Sequence, residues 1–461
     1  MGLLDFACRR LIQPLWARRE DRRAAALRVE LARRQFDSPA VVQVRQVVAL
    51  RRVLQHAAAT VPYYRELFSR IGFRPNAVTA IADLQALPLL TKTEIRAHGP
   101  ALLSESFRGR PLIRKTTSGS TGVPLEVRLD AGGLSWKRAC TLRCDEWSGW
   151  RRGNRIAKVW GNPDYRRHGV KGWLRNRLYD RAIHLDTLDM TPDSIRRFVA
   201  TLNRTRPELL FGHAHSVFML AEFIERHGIP TYRPAGIITT AMVLHDWQRR
   251  RIEATFGCPV TNRYGCEEVS LIACECERHQ GLHVNADSVL IEVIRDGRPA
   301  PPGMAGSIVV TDLSNFAMPL VRYLIGDVGV LSREQCACGR GSVRLESIEG
   351  READYVVTAD GRLISGISLT ENFAVLMPGV AQIQIIQEQL RQFLFRIVRG
   401  SDWSPASERT LAGLVAERFG KNVRYALDFV DVIPQEPSGK YRFCVSHVPH
   451  PSAAEGGRIA A

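Results

Sequence analysis

The chain has 461 residues, 45% of them hydrophobic, and its lysine plus arginine exceed aspartate plus glutamate by 64 − 47 = 17. That length carries two or three domains and a large buried core, the apolar content excludes an intrinsically disordered chain, and no run of about 18 uncharged apolar residues exists to span a membrane. The charge favours an anionic partner such as nucleic acid, anionic lipid, ATP or coenzyme A, but much of it is arginine scattered among hydrophobic residues, as in Arg249-Arg-Arg251, so a basic but ordinary surface is expected.

Along the chain, Met1-Gly-Leu-Leu-Asp-Phe-Ala-Cys-Arg-Arg10 places its charges after its apolar residues, the wrong order for a secretory signal. With ten cysteines and no export signal, reduced thiols and a cytoplasmic location are expected. Residues 1–40 read as a basic amphipathic helical extension. Its helix should run from about Leu3 to Arg34 and pack against the body of the protein, with peripheral membrane contact as the lesser alternative. From Ala40 to Leu103, helices are punctuated by Pro62, Pro75 and Pro88, and Thr91 caps a helix running towards Ala97.

Leu125-Glu-Val-Arg-Leu129 alternates as a half-buried strand does. Beyond it, β-rich runs and helical patterns take turns: Arg155 to Trp160, Ser194 to Leu202, Leu209 to Phe211, Val217 to Arg226, Gly236 to Thr240 and Trp247 to Phe256. That alternation predicts an α/β architecture with buried sheets. After Asp327 the pattern becomes hairpin-like at Tyr355–Val357 and Arg362–Ile364. A second strand pair follows at Val380–Ile386 and Phe393–Val398, then a helix from Ser404 to Phe419 and a further strand from Val423 to Val432. These describe a small α+β domain whose boundary lies near Glu349-Gly-Arg351. The expected division is therefore a large domain over 41–349, a small C-terminal domain over 350–448 and a disordered tail over 449–461.

Four stretches carry chemistry. Thr116-Thr-Ser-Gly-Ser-Thr-Gly122 supplies hydroxyls and inward-turning backbone N–H groups suited to polyphosphate. It is not a Walker loop, because Val123-Pro124 follows Gly122 where that motif needs Lys-Ser/Thr. Arg263-Tyr-Gly-Cys-Glu-Glu268 offers a ring to stack on a base and a carboxylate to hold magnesium. In Arg322-Tyr-Leu-Ile-Gly-Asp-Val-Gly329, Asp327 can accept from both hydroxyls of a ribose. Ile433-Pro-Gln-Glu-Pro-Ser-Gly-Lys-Tyr-Arg442 presents one lysine on a Pro/Ser/Gly loop.

Together these stretches resemble the signature of the adenylate-forming superfamily. Within it, Val61-Pro-Tyr-Tyr-Arg65, Leu87-Pro-Leu-Leu-Thr-Lys92 and Ala273-Cys-Glu-Cys276 look like the phenylacetate-CoA ligase group, especially its capsular-polysaccharide-biosynthesis relatives. The resemblance runs from about Val42 to Arg442. It implies a large adenylate-forming domain of packed mixed sheets and helices with a small mobile C-terminal α+β domain. It also implies a two-step reaction: a carboxylate, aryl or related, attacks the α-phosphate of ATP to give acyl-adenylate and pyrophosphate, and coenzyme A then takes the acyl group.

On that resemblance Ser118, Gly119, Ser120, Thr121 and Gly122 hold the departing phosphates, Tyr264 with Gly265 meets adenine, Glu268 binds Mg2+, Asp327 holds the ribose, and Arg351 either touches the nucleotide or pairs with a surface carboxylate at the hinge. Lys440 bridges the substrate carboxylate and the α-phosphate, and rotation about Gly350-Arg351 withdraws it for the second step. His213 and His215 could line an acid pocket, since that segment sits where relatives build one, but a pair at i, i+2 on a loop is expected simply to be exposed; Trp147, Trp150 and Trp160 are expected in the core. Three departures stand out. Ala241-Met-Val-Leu244 lacks an acidic residue that relatives often carry there, Gly350-Arg-Glu-Ala-Asp354 lacks one hinge aspartate, and Leu324-Ile325 replaces Arg-Thr.

Two cysteine pairs, Cys274-Glu-Cys276 and Cys336-Ala-Cys338, could close a tetrahedral zinc site. Cys276, His283, Cys336 and Cys338 are the favoured ligands, because His283 opens a strand expected over Val284 to Ile294 and zinc-containing relatives are similar here; Cys274 and His279 are alternates. Such a closed site is structural. Two other functions stand beside the acid-CoA ligase reading: transfer of the adenylated acyl group to an amine or hydroxyl during surface-polysaccharide assembly, and a non-catalytic basic zinc protein binding nucleic acid. Against the last stands the intact Lys440 motif, so no nucleic-acid partner is expected.

Overall fold

The computed structural model describes residues 6–117, 125–160, 169–185, 192–351, 355–359, 363–365, 373, 377–420, 422–433 and 444–448. The chain forms two compact units. The larger comprises Met1–Ile294, Pro299–Ile325 and Val330–Ser347, and the smaller Arg295–Arg298, Gly326–Gly329 and Ile348–Ala461.

In the larger unit, β1 (Ile113–Thr117) pairs antiparallel with β2 (Leu125–Leu129). The main sheet holds β3 (Ile156–Val159), β4 (Ala182–Leu185), β5 (Leu209–His213), β6 (Gly236–Thr240), β7 (Val260–Cys266), β8 (Ser270–Glu275), β9 (Leu282–Val284), β10 (Val289–Arg295), β11 (Arg298–Pro299), β12 (Ala305–Asp312), β13 (Tyr323–Leu331) and β14 (Arg344–Arg351). Its order is β11-β10-β12-β13-β14-β9-β8-β7-β6-β5-β3-β4. From β4 to β7 neighbouring strands are parallel, and from β7 to β9 antiparallel. The parallel strands read as near-continuous apolar runs because helices cover them. Val199, Leu202, Val217, Leu220 and Ile252 pack onto Val159, Leu210, Ile237 and Val260 in one buried cluster.

The α/β expectation holds, with two local corrections. The N-terminal segment is not one helix. Cys8–Ile12 winds as a π turn, Gln13–Arg34 follows, and the latter breaks at Asp21 (φ −156°, ψ 79°). Asp21 accepts from the Ala24 amide at 2.8 Å and from Ser135 Oγ at 2.9 Å, so it caps a fresh helical start. The C-terminal part buries Leu31 against Ala139 and Cys140 of the Ala131–Trp147 helix. The strand expected over Val284–Ile294 is also interrupted. The Ser288 and Val289 amides both bond back to the Asn285 carbonyl, and the resulting turn separates β9 from β10.

The smaller unit holds a hairpin of β15 (Tyr355–Val357) and β16 (Leu363–Ser365). Its four-stranded sheet comprises β17 (Val380–Gln389), β18 (Gln392–Arg399), β19 (Arg424–Phe429) and β20 (Cys444–Ser446), in the order β19-β18-β17-β20. The Pro405–Phe419 helix lays Leu411, Leu414, Val415 and Phe419 on Phe373, Phe393 and Phe395. Phe393 and Phe419 stack at 4.4 Å. Gln387, fully buried, accepts from the Val357 amide at 3.0 Å and donates to its carbonyl at 2.7 Å, completing the backbone pairing of β15.

In the larger unit Lys137 and Asp312 form an ion pair at 2.6 Å with side chains 3% and 0% exposed. Removing one partner leaves a buried charge. Asp312→Ala should therefore lower the unfolding free energy of this unit by about 3–5 kcal/mol, and Lys137→Met with Asp312→Leu should recover part of the loss. Urea titration followed by tryptophan fluorescence measures both.

Candidate functional site

In a parallel sheet, ligands collect beyond the carboxyl ends of the strands where the strand order reverses. Here β3 lies between β4 and β5, so the chain leaves β3 towards one edge and returns on its other side. Trp160 follows β3 and His213 ends β5; their rings meet at 4.0 Å, and Trp160 also stacks on Phe211 at 5.4 Å. Trp160 is thus at the carboxyl edge rather than deep in the core, while Trp150 is buried as expected. Against expectation His213 is not exposed: it is 1% accessible, covered by the Trp160 ring; the side chain of His215 lies outside the described residues. Ala241, next after β6, holds φ +68°, a conformation that a non-glycine residue adopts at a cost.

Tyr264, Gly265 and Cys266 end β7, two strands from His213 in the same parallel set. The pairing with β8 is irregular between Tyr264 and Gly265. A Cβ on Gly265 would stand 2.4 Å from the Ser270 carbonyl oxygen, so only glycine permits this close approach. The following turn carries Glu267, bonded to Lys115 Nζ at 3.0 Å, and Glu268.

Glu268 is 4% exposed and accepts from Tyr323 Oη at 2.8 Å. Tyr323 is fixed in turn. The Leu90 amide bonds to the Arg322 carbonyl and the Leu324 amide to the Leu90 carbonyl, both at 2.9 Å, so the segment Leu87–Lys92 is stitched to the start of β13. Arg322 stands at φ +54° with its guanidinium on Glu292 at 3.1 Å and on the Leu87 carbonyl. Lys137 Nζ donates to the Val269 carbonyl at 2.8 Å, immediately after Glu268. Neither Tyr323 as a partner of Glu268 nor Lys137 as a support was anticipated. Lys137 carries a sequence signal, since it shares the buried stripe Gly133, Lys137, Cys140, Cys144 of its helix.

Asp327, 6% exposed, lies on β13 four residues beyond Tyr323. Ser118, Gly119, Ser120, Thr121, Gly122 and Lys440 lie outside the described residues, as does the side chain of Arg351.

The cysteine constellation separates into two. Cys276, His283, Cys336 and Cys338 present ligand atoms all within 4.8 Å of one another. The Cys276 and Cys336 sulfurs are 3.7 Å apart, and Cys338 Sγ is 3.3 Å from His283 Nε2. The other imidazole nitrogen, Nδ1, meets Ser342 Oγ at 3.2 Å, which directs Nε2 into the cluster. Burial and then nearby Arg340 and Arg344 push His283 down to about 4, so its ring is neutral at pH 7. The Arg278 and Arg340 amides donate to Cys276 and Cys338 sulfurs at 3.4 Å. Three thiols and a neutral imidazole, oriented from outside, suit a tetrahedral soft cation. Cys274 instead packs with Cys144 and Leu271, and His279 faces Glu275 at 3.3 Å.

A family model for the CapK C-terminal domain matches residues 356–447. Over 319 residues, 67% of this chain and 70% of the relative, the chain is 29% identical to a phenylacetate-coenzyme A ligase of Thermus thermophilus. Over 396 residues, 84% of this chain and 85% of the relative, it is 25% identical to protein CapK of Staphylococcus aureus. The crystal structure of 2-hydroxyisobutyryl-CoA ligase in the postadenylation state superposes with a TM-score of 0.70 at 20% identity, covering 92% of this chain and 93% of that one. The fold is that of 2-hydroxyisobutyryl-CoA ligase, and in sequence the chain is similar to phenylacetate-coenzyme A ligases and to CapK.

Proposed function

We propose that the protein activates an organic carboxylic acid with ATP as an acyl-adenylate and transfers the acyl group to coenzyme A. The observation that carries this reading is Glu268, a carboxylate held at the carboxyl edge of the parallel strands by Tyr323 and followed by a carbonyl anchored to Lys137. A buried carboxylate whose hydrogen-bond partner is a neutral phenol favours a cation beside it. Mg2+ held by Glu268 would supply the charge that screens the phosphates of ATP. Tyr264 then meets adenine, with Gly265 allowing the close strand approach that places it. Asp327 accepts from the ribose hydroxyls, Arg351 contacts the nucleotide and Ser118 to Gly122 receive the pyrophosphate.

In the first step the substrate carboxylate attacks the α-phosphorus and the bond to the β-phosphate oxygen breaks, releasing pyrophosphate. Negative charge gathers on the oxygens between carboxylate and α-phosphate, where Lys440 stabilises it. In the second step a thiol attacks the acyl carbon and AMP leaves. Lys440→Ala should reduce acid-dependent pyrophosphate release by about 10²-fold or more, yet leave thioester formation from synthetic acyl-adenylate nearly unchanged. Equal loss of both half-reactions would remove the two-step division of labour.

The CapK-like C-terminal match over 356–447 and the broad similarity to CapK favour a second acceptor reading, in which an amine or hydroxyl of a surface polysaccharide precursor takes the acyl group. Turnover of a panel of acids with coenzyme A, compared with amino-sugar acceptors, distinguishes the two.

The cluster of Cys276, His283, Cys336 and Cys338 would hold a structural Zn2+. Elemental analysis of the purified protein should give about one zinc per chain. Cys336→Ser should lose it together with thermal stability, whereas Cys274→Ser should retain it.

A further inference from the structure

We infer that the surface built from the N-terminal segment and the Gly169–Asp180 segment docks the enzyme on an anionic lipid bilayer. Six of the 18 exposed large apolar side chains among the described residues fall in these two short stretches: Phe6, Leu11 and Leu15 in the first, Val170, Trp173 and Leu174 in the second. Val170 is 81% exposed and Trp173 59%. The two stretches adjoin, since the π turn Cys8–Ile12 packs against Asn176–Asp180 and Gln13 donates to the Tyr179 carbonyl.

Isolated exposed apolar residues need no explanation, but a concentration on neighbouring segments does. Among the charges on these two stretches, Arg10 and Arg177 are exposed, and Arg177 lies over the Trp173 ring at 5.6 Å. The acidic Asp180 is already engaged by Arg175 at 3.4 Å. Exposed leucine, valine and phenylalanine beside a tryptophan, with arginines at their margin, match the interface of a bilayer. Apolar side chains enter the acyl boundary, the indole sits at headgroup depth and guanidinium groups reach the phosphates. A surface tracking nucleic acid would have no use for the apolar cluster, and a site for a second copy would have no need of the basic margin.

The test is co-sedimentation of the full chain with vesicles of pure phosphatidylcholine and with vesicles containing phosphatidylglycerol. Retention is expected on the phosphatidylglycerol vesicles and should weaken with salt. Leu11→Asp combined with Trp173→Asp should reduce the bound fraction about tenfold and leave acid-dependent pyrophosphate release intact, which confirms folding. Val44→Asp with Val48→Asp, on another exposed stripe, should bind as the wild type does. Equal retention on both vesicle types, indifference to Leu11→Asp with Trp173→Asp, or vesicle-independent retention on duplex DNA would overturn the inference. So would a change in oligomeric state in that variant without any vesicle binding by the parent.

Discussion

A lysine ammonium buried at 3% exposure must be paired and fully hydrogen-bonded, and the partners of Lys137 tie the large unit together. Its charge goes to Asp312 at the end of β12, whose other oxygen takes the amides of Ser314 and Asn315 and the hydroxyl of Ser314. A further ammonium proton goes to the Val269 carbonyl beside Glu268. One side chain thus connects the antiparallel half of the sheet, the turn after β7 and the helix on which it stands. The rest of the Ala131–Trp147 helix continues the role. Arg143 reaches Asp287 at 2.9 Å, Asp145 holds Arg263 at 2.7 Å, and Trp147 donates to Gln35 at 2.9 Å. Because Arg263 immediately precedes Tyr264, this helix supports the end of β7 from both sides of the motif.

The cysteine cluster extends that support to the N-terminus. Arg340, between Cys338 and Ser342, lies over the Trp147 ring at 4.5 Å, bonds Gln35 at 3.1 Å and grips both oxygens of Glu277. Gly341 donates its amide to the Gln35 carbonyl, and a Cβ there would stand 1.9 Å from the Asp37 oxygen. The knuckle therefore fastens the residues after the N-terminal helix to the same tryptophan that ends the supporting helix. A metal in the cluster would stabilise this junction.

Period and punctuation made the α/β core legible. Strands Gly236–Thr240 and Leu209–His213 and the helices after them follow from apolar runs bounded by turn residues. The break at Asp21 was hidden because, beside the local Ala24 amide, its partners are Ser135 and Arg138, more than a hundred residues away. Likewise, Cys274 and Cys276 share one parity, which in a strand would place both thiols on one face. But β8 ends at Glu275, and the turn beyond it carries Cys276 to Cys336 while Cys274 stays with Cys144. Spacing alone does not record where a strand stops. Of the candidate site, Tyr264, Glu268 and Asp327 stood out as residue types, whereas the Tyr323–Glu268 bond, Lys137 and the Trp160–His213 pair owe their place to long-range packing.

The same long-range packing changes the meaning of the positive charge. Several arginines spend their guanidinium groups on backbone carbonyls that secondary structure leaves over: Arg51 on Val78, Arg155 on Thr205 and Arg181 on Gly153, at 2.7–2.9 Å, with Arg249, Arg322 and Arg344 doing the same on Val260, Leu87 and Gln280. A planar, weakly hydrated fork with five donors suits this role, because it satisfies loop carbonyls at a smaller desolvation cost than an ammonium would. Arg181, Arg322, Arg340 and Arg344 are each buried. Part of an excess that composition alone would assign to a polyanion is therefore consumed inside the fold.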